Sequence, residues 1–348
     1  AYRVKVRAER AAGSSLTVVY ITFALGTAAL LAAGAWLYRR GEVTLGTLFL
    51  LFQCMQLVRM ALQNTADQLR SVQRAGGGAG RIRQLLARRA TLTFGPADAP
   101  RPRPLSVRFE AVSFGYGDGR PVLDGIDLEV PAGSVLGVVG RTGGGKTTIA
   151  RLLARLYDPD QGVVSVGGVD LRTLSSEALR HTIGLVTQDV QLFHASVRDN
   201  LTMFGGDVDD ARLAEVIDQL ELGPWLARLP DGLDSVVGAG GVGLSAGEAQ
   251  LLAFGRVLIS DPAVVVLDEA SSRLDPLTEA RIDCAVARLL EGRTGVVIAH
   301  RPHTLTRAAS VVVVEGGHIV ESGPRSGLEG DPASRFSRLL AAEPRMAG

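Results

Sequence analysis

The sequence predicts an α/β domain preceded by two membrane-spanning helices, on three observations. Residues 11–38 contain no charged side chain, and a helix needs about 20 apolar residues to cross a bilayer. From Leu105 onward, short Val- and Leu-rich runs alternate with glycine turns and helical segments. That is the pattern of strands buried on both faces of a largely parallel sheet. Between one such run and a helix lies a glycine-rich stretch, "VVGRTGGGKTTIARLL" at 138–153.

The 348 residues are enough for two domains, each with its own core. A net charge of +1 provides no basic field, so nucleic acid is excluded as the main partner. Cys54 and Cys284 have no nearby pairing partner and no metal-like spacing, and are expected to be small buried residues in a reducing compartment. The chain starts at Ala1 rather than Met, so a piece of a longer product is expected.

The uncharged run at 11–38 is too long for a secretory signal, and no small-residue cleavage site is followed by a soluble domain. A short "RRGE" turn leads into a second apolar run at 43–58, read as the returning helix. On it, Gln53, Gln56, Arg59, Gln63, Asp67 and Arg70 recur at steps of three and four and form a polar stripe. Gln53 and Gln56 are expected to face a cavity, because polar groups in a membrane helix need protein, water or a pathway beside them. Asp67 and Arg70 are expected to lie in solvent. Basic residues at 1–10 and from Arg59 onward put both ends of the hairpin on the cytoplasmic side. The glycines of "GGGAG" (76–80) weaken an otherwise continuous helix to about Arg89.

These elements define a partial transmembrane domain at 1–89, with membrane helices at about 12–38 and 43–64 and a cytoplasmic extension. The Pro-rich segment 90–104 is expected to be a semi-stiff linker, and 105–348 a second domain. In that domain, "GSVLGVVG", "AVVVLDEA", "TGVVIAH" and "ASVVVVEGG" read as buried strands. Leu213, Val216, Ile217 and Leu220 have helical spacing. No internal repeat is visible.

A strand at 133–139 running into "GRTGGGKTT", and then into the helix "TIARLLARLY", matches G-x-x-x-x-G-K-[ST] at Gly140, Gly145, Lys146 and Thr147. Glycines let successive N–H groups curl towards phosphate oxygens, and the helix start adds its partial positive charge. Lys146 is one of two lysines in the chain, the other being Lys5, against 35 arginines. Its slim point charge can follow that curl, whereas the planar fork of arginine cannot. In "VVVLDEASSRLDP" (264–276) a buried run ends in Asp268 and Glu269. One such carboxylate can hold a Mg²⁺ shell while the next deprotonates an attacking water.

Taken in order, Tyr116 in "VSFGY", the glycine loop, Gln188 in "GLVTQD", "LSAGE" at 244–248, "VVVLDE", "SRLD" at 272–275 and His300 in "VIAHR" resemble the nucleotide-binding domain of an ABC transporter. The two preceding helices look like the last two membrane helices of an exporter-type half-transporter. The resemblance implies a P-loop NTPase (RecA-like) core with antiparallel β and helical subdomains, and ATP and Mg²⁺ as cofactors. Tyr116 would stack on adenine. Gly140, Arg141, Thr142, Gly143, Gly144, Gly145, Lys146, Thr147 and Thr148 would wrap the phosphates, with Thr147, Gln188 and Asp268 at the metal. Glu269 would be the catalytic base, His300 would contact the γ-phosphate, and Gln188 would also relay the nucleotide state. Ser245, Gly247 and Asp275 would act across a dimer interface. His181, His194, His303 and His318 match no motif and are expected to be structural, and neither His300 nor His303 looks like a metal ligand.

The sequence departs from the family where it faces a partner. "LSAGE" stands for "LSGGQ", "SRLD" for "SALD", and "VGAGG" (237–241) lacks the usual glutamate. Glu248 is expected to sit near a bound anion and weaken closure. Because the P-loop, Asp268, Glu269 and His300 are intact, one half of a heterodimeric exporter is expected, and an ordinary homodimer is the alternative. Partners are then a second half-transporter, the lipid bilayer and a transported small molecule, lipid or peptide. The location is the plasma membrane (bacterial inner membrane), with the nucleotide-binding domain in the cytoplasm. A soluble ABC ATPase would share the motifs without residues 11–38; a regulatory ABC protein would share both.

Overall fold

The computed structural model describes residues 2–87, 91–117, 119–205, 208–238, 243–268, 276–299 and 305–342. The chain divides into two compact units, 1–90 and 91–348.

The first unit is a helical hairpin, α1 (Tyr2–Arg39) and α2 (Leu45–Leu86). Gly41 turns the chain at φ 76°, and the Thr44 hydroxyl caps α2 by accepting from Thr47 N–H at 3.2 Å. Ile21–Arg39 and Leu45–Thr65, each with mean hydropathy 1.6, are long and apolar enough to cross a membrane. The helices meet along small residues. A Cβ on Gly34 would strike the Leu48 side chain, and one on Gly26 would lie 2.8 Å from Met55 Cε, so glycine sets the close approach. Thr27 Oγ1 donates to Phe23 O at 2.7 Å and lies 3.8 Å from Met55 Sδ. The polar stripe is split. Gln56 and Arg59 are half-buried, and among the described residues Gln56 Oε1 and Arg59 Nε find no hydrogen-bond partner, while Gln53 and Asp67 are exposed. The side chain of Arg70 lies outside the described residues. The glycines at 76, 78 and 80 do not end α2, which continues to Leu86.

The second unit begins with β1 (Val107–Phe114), β2 (Leu123–Val130) and β3 (Val135–Val139), followed by α3 (Lys146–Leu153), β4 (Gln161–Val166) and β5 (Val169–Asp170). Next come α4 (Ser176–Thr182), β6 (Ile183–Val186), β7 (Ala195–Ser196), α5 (Val197–Thr202), α6 (Asp210–Gln219), α7 (Gly223–Leu226) and β8 (Val236–Val237). The chain ends with α8 (Ala246–Ser260), β9 (Val264–Asp268), α9 (Pro276–Leu290), β10 (Thr294–Ile298), β11 (Ser310–Glu315), β12 (His318–Pro324), α10 (Arg325–Gly330) and α11 (Arg335–Ala342).

Three layers result. A six-stranded sheet in the order β12-β11-β3-β10-β9-β6 is parallel except for the edge strand β12. All four apolar runs read as strands lie in it. An antiparallel sheet, β2-β1-β4-β5, packs with α3 over one face through Phe109, Ile126, Ile149 and Leu153. A helical lobe covers the other face, where Leu213, Val216, Ile217 and Leu220 join Phe254 and the inward residues of β9. α3 stops earlier than its sequence suggests, because Arg155 turns left-handed at φ 48° and Asp158 precedes a proline. Both cysteines are exposed, contrary to expectation. Cys284 falls off the α9 core face of Ile282, Ala285 and Leu289, and Cys54 is exposed on α2.

Residues 93–103 are fastened to the domain. Arg155, 3 % exposed, donates to Thr93 O at 2.6 Å, Leu171 O at 3.0 Å and Asp158 Oδ1 at 2.9 Å. Its guanidinium lies 4.9 Å from the centre of the Phe94 ring. Backbone bonds join Gly95 N to Leu174 O and Ser175 N to Ala97 O. Arg103 reaches Asp261 O at 2.6 Å. Arg155→Ala should therefore leave the buried Leu171 carbonyl unpaired, free the Thr93 carbonyl and Asp158, and lower the stability of this unit by about 2–4 kcal/mol in a denaturant titration. A change below about 0.5 kcal/mol, the level of an ordinary surface substitution, would contradict this fastening.

Candidate functional site

Parallel pairing brings several chain exits to one edge of the sheet. Val138 lies opposite Ile298, Ile298 opposite Asp268, and Leu267 opposite Val186. The glycine loop after β3, the carboxylate ending β9 and Gln188 just beyond β6 therefore leave the sheet at the same end, where open α/β sheets bind ligands.

In the loop, Gly140, Gly143 and Gly145 have φ of 143°, 81° and 106°. Close approach also requires the absence of side chains. A Cβ on Gly140 would overlap the Val314 carbonyl, and one on Gly144 would lie 2.9 Å from the same oxygen. Gly317 N–H donates to Gly144 O at 3.2 Å, so the β11–β12 turn braces the loop from below. Arg141, Thr142 and Gly143 are exposed, Thr147 is half-buried, and Thr148 is buried. Lys146 is 4 % exposed, and its ammonium donates to Gly140 O at 2.7 Å and Arg141 O at 3.0 Å. The lysine thus closes the curl on its own carbonyls, a geometry suited to a compact cation.

Tyr116 sits beside the first turn of α3. Its hydroxyl lies 3.1 Å from Thr148 Oγ1 and accepts from Arg151 Nη1 at 3.1 Å. That bond holds the Arg151 guanidinium above its ordinary pKa, with smaller contributions from Tyr157 and Asp268. The edges of Phe114 and Tyr157 meet the ring at centroid distances of 4.9 and 5.3 Å, and Tyr116 remains 40 % exposed. Sequence reasoning missed Arg151 and Tyr157. The available signal for Arg151 was its position one helical turn beyond Thr148.

Asp268 is 7 % exposed at the end of β9, and Gln188 is exposed. The segment beyond Gln188 is tied to α8 by Arg256, which donates to Gln191 O and Asn200 O, both at 2.8 Å. Asn200, fully buried, closes the same segment by accepting from Phe193 N–H at 2.9 Å and donating to Ser196 O at 3.0 Å. Glu269, Asp275, His300 and His303 lie outside the described residues. His181, His194 and His318 are exposed.

At 244–248 the structure adds to the expectation for Glu248, giving its carboxylate partners within the chain. Ser245 is the N-cap of α8 in a capping box with Glu248, and Glu248 is also ion-paired with Arg228 at 3.1 Å. Its carboxylate is thus engaged by the helix start and a guanidinium. Gly247 lies against Thr278 of α9, where a Cβ would clash. Its missing side chain permits helix packing as well as any approach to a ligand.

Among the described residues no cluster of three His, Cys, Asp or Glu side chains could hold a metal ion. The hydroxyl of Thr147, the carboxylate of Asp268 and the amide oxygen of Gln188 are hard oxygen donors. Such a set suits Mg²⁺, which takes few protein ligands and completes its shell with water and phosphate.

Residues 123–272 match the family model for ABC transporters. An ATP-dependent lipid A-core flippase of Burkholderia orbicola is 41 % identical over 69 % of this chain and 42 % of its own. A mycobactin import ATP-binding/permease protein of Mycolicibacterium smegmatis is 40 % identical over 70 % of this chain and 28 % of its own. The structure of a bacterial Atm1-family ABC exporter with ATP bound superposes with a TM-score of 0.69 at 30 % identity, covering 93 % of this chain and 57 % of that one. The chain spans at most about half the length of the curated relatives it matches. With its glycine loop, strand-end carboxylate and capped LSAGE helix arranged as above, the chain belongs to the ABC transporter family and carries that family's ATP-binding ATPase domain.

Proposed function

We propose that this chain is the ATPase-bearing end of a bacterial half-transporter that exports a small molecule, lipid or peptide across the plasma membrane. Its ATPase domain faces the cytoplasm, and ATP is hydrolysed at composite sites shared with a second, non-identical half-transporter. One observation carries this reading: the glycine loop, Asp268 and Gln188 leave one sheet edge on a chain that also contains two membrane-length helices.

In this reading Tyr116 packs on the adenine, exchanging its hydroxyl bonds to Thr148 and Arg151 for the nucleotide. The N–H groups of the loop and the start of α3 receive the phosphates, and the Lys146 ammonium turns from Gly140 O and Arg141 O towards the β/γ oxygens. Thr147 and Asp268 hold Mg²⁺, aided by Gln188; the ion, when bound, neutralises charge developing on the phosphate oxygens. Glu269 takes the proton of the attacking water and His300 contacts the γ-phosphate. Ser245 and Gly247, with Asp275, address the nucleotide of the partner subunit. Closing of the domain pair is transmitted through the Gln188 segment, which Arg256 fastens to α8.

The non-identical partner is supported by the location of the departures: they fall in the elements offered across the interface, while the cis-acting motifs are kept. Mass spectrometry of the tagged full-length protein purified from native membranes checks it. A second, different half-transporter in equal amount is expected; recovery of this chain alone would favour a homodimer. Import is a second reading, supported by the mycobactin importer at 40 % identity. Inside-out vesicles loaded externally with cell extract distinguish direction. Export predicts solutes that accumulate inside only with ATP, and not in a Glu269→Gln variant. ATP-dependent loss of preloaded solute would indicate import.

Lys146→Arg should weaken ATP binding by roughly tenfold or more in an equilibrium titration, because a guanidinium cannot replace a point charge in a closed curl. Retention of wild-type affinity would contradict the part assigned to Lys146.

A further inference from the structure

Both carboxylate oxygens of Glu248 are in use. Oε2 accepts from Ser245 N–H at 2.8 Å and from the Ser245 hydroxyl at 2.9 Å, while Oε1 accepts from Arg228 Nη2 at 3.1 Å. In return Glu248 N–H donates to Ser245 Oγ at 3.2 Å. A carboxylate paired with arginine accepts only, and a hydroxyl has a single proton. The proton of Ser245 therefore points at Glu248. Any phosphate oxygen brought to the start of α8 meets a serine whose donor is already committed, through a charge-assisted bond stronger than a neutral one.

We propose that Glu248, its charge moderated by Arg228, is a positioning residue that withholds the Ser245 proton from the γ-phosphate bound by the partner subunit and so slows turnover at that site. The proposal rests on the reading that this helix start faces the nucleotide of the partner subunit. Glutamine at 248 weakens the contact. Its carbonyl, in the place of Oε2, still accepts from Ser245 N–H as capping boxes allow, but as a neutral acceptor it holds the hydroxyl proton less tightly than a carboxylate and leaves it freer to turn to a phosphate. It also removes a negative charge from beside an anion. Arg228 acts in the opposite direction to Glu248: its bond to Oε1 draws charge away from the serine, so without it the carboxylate holds the proton more tightly. Arg228 is largely exposed and Glu248 is not, so changing Arg228 disturbs little packing.

Steady-state ATP hydrolysis by the full-length transporter with its partner, reconstituted in lipid, tests this. Glu248→Gln should raise kcat by roughly three- to tenfold, the worth of one hydrogen bond, with KM for ATP unchanged within about twofold. Arg228→Gln should lower kcat, and the double variant should return to the level of Glu248→Gln alone. A purely structural role also lowers kcat in Arg228→Gln, but it predicts that Glu248→Gln lowers activity as well and that the double variant is lowest. Ser245→Ala separates the two ways of failing. If it lowers kcat while Glu248→Gln does not raise it, the withheld proton is overturned and the facing helix start survives. With its proton already committed, Ser245→Ala should change kcat little in the wild-type background and should take back the gain in Glu248→Gln. If it has no effect in either background, the reading of that helix start as a nucleotide contact falls, and the proposal with it.

Discussion

Gly140 and Gly144 lie against the carbonyl of Val314, and Gly317 N–H reaches back to Gly144 O, so loop and hairpin turn occupy space that one methyl group would fill. That contact fixes the curl of 140–145, and the remaining site is arranged around it. The curl sets where α3 begins, where Lys146 can fold back, and where Thr148 meets Tyr116. It requires β11 beside β3, and hence the strand order that also carries Asp268 and Gln188 to the same edge. Binding N–H groups are thereby preorganised by packing, so little ordering remains for the nucleotide to impose.

Two arginines outside any familiar motif extend this arrangement. Arg155, at the end of the P-loop helix, grips Thr93 and Phe94 in the segment leading in from the first unit. Arg256, on α8, grips the segment beyond Gln188. Each ties an element of the nucleotide site to a stretch of chain that would have to respond to it. These are contiguous hydrogen-bonded links, the physical material through which a change at one site biases another.

Much of the parallel sheet was legible because strands buried on both faces must be apolar throughout, as β9 and β11 are. The glycine loop was legible because its backbone admits few residue types. Segment 90–104 was read from its prolines as a linker, yet Arg155 folds residues 93–97 onto the domain, and no local pattern announces a partner sixty residues away. The end of α3 was misjudged because Arg155 is a helix former held left-handed by its buried bonds. Cys284 was misplaced because residue type, and not position on the α9 face, was weighed. Glu248 was readable. Ser245-x-x-Glu248 is a capping-box spacing, but comparison with "LSGGQ" drew attention to the charge and away from the helix start. Tyr116 was found through its motif, whereas its bonds to Thr148 and Arg151 depend on where the fold places α3 beside residue 116, some thirty residues away in the chain, and had no sequence signal.

The central claim is that ATP binds at this sheet edge with its base on Tyr116. Photolabelling of the full-length transporter with 8-azido-ATP tests it most directly. The account predicts an adduct on the peptide containing Tyr116, suppressed by excess ATP and lost when Lys146 is replaced by alanine. Labelling that ATP does not suppress, or that falls only outside residues 107–157, would contradict it.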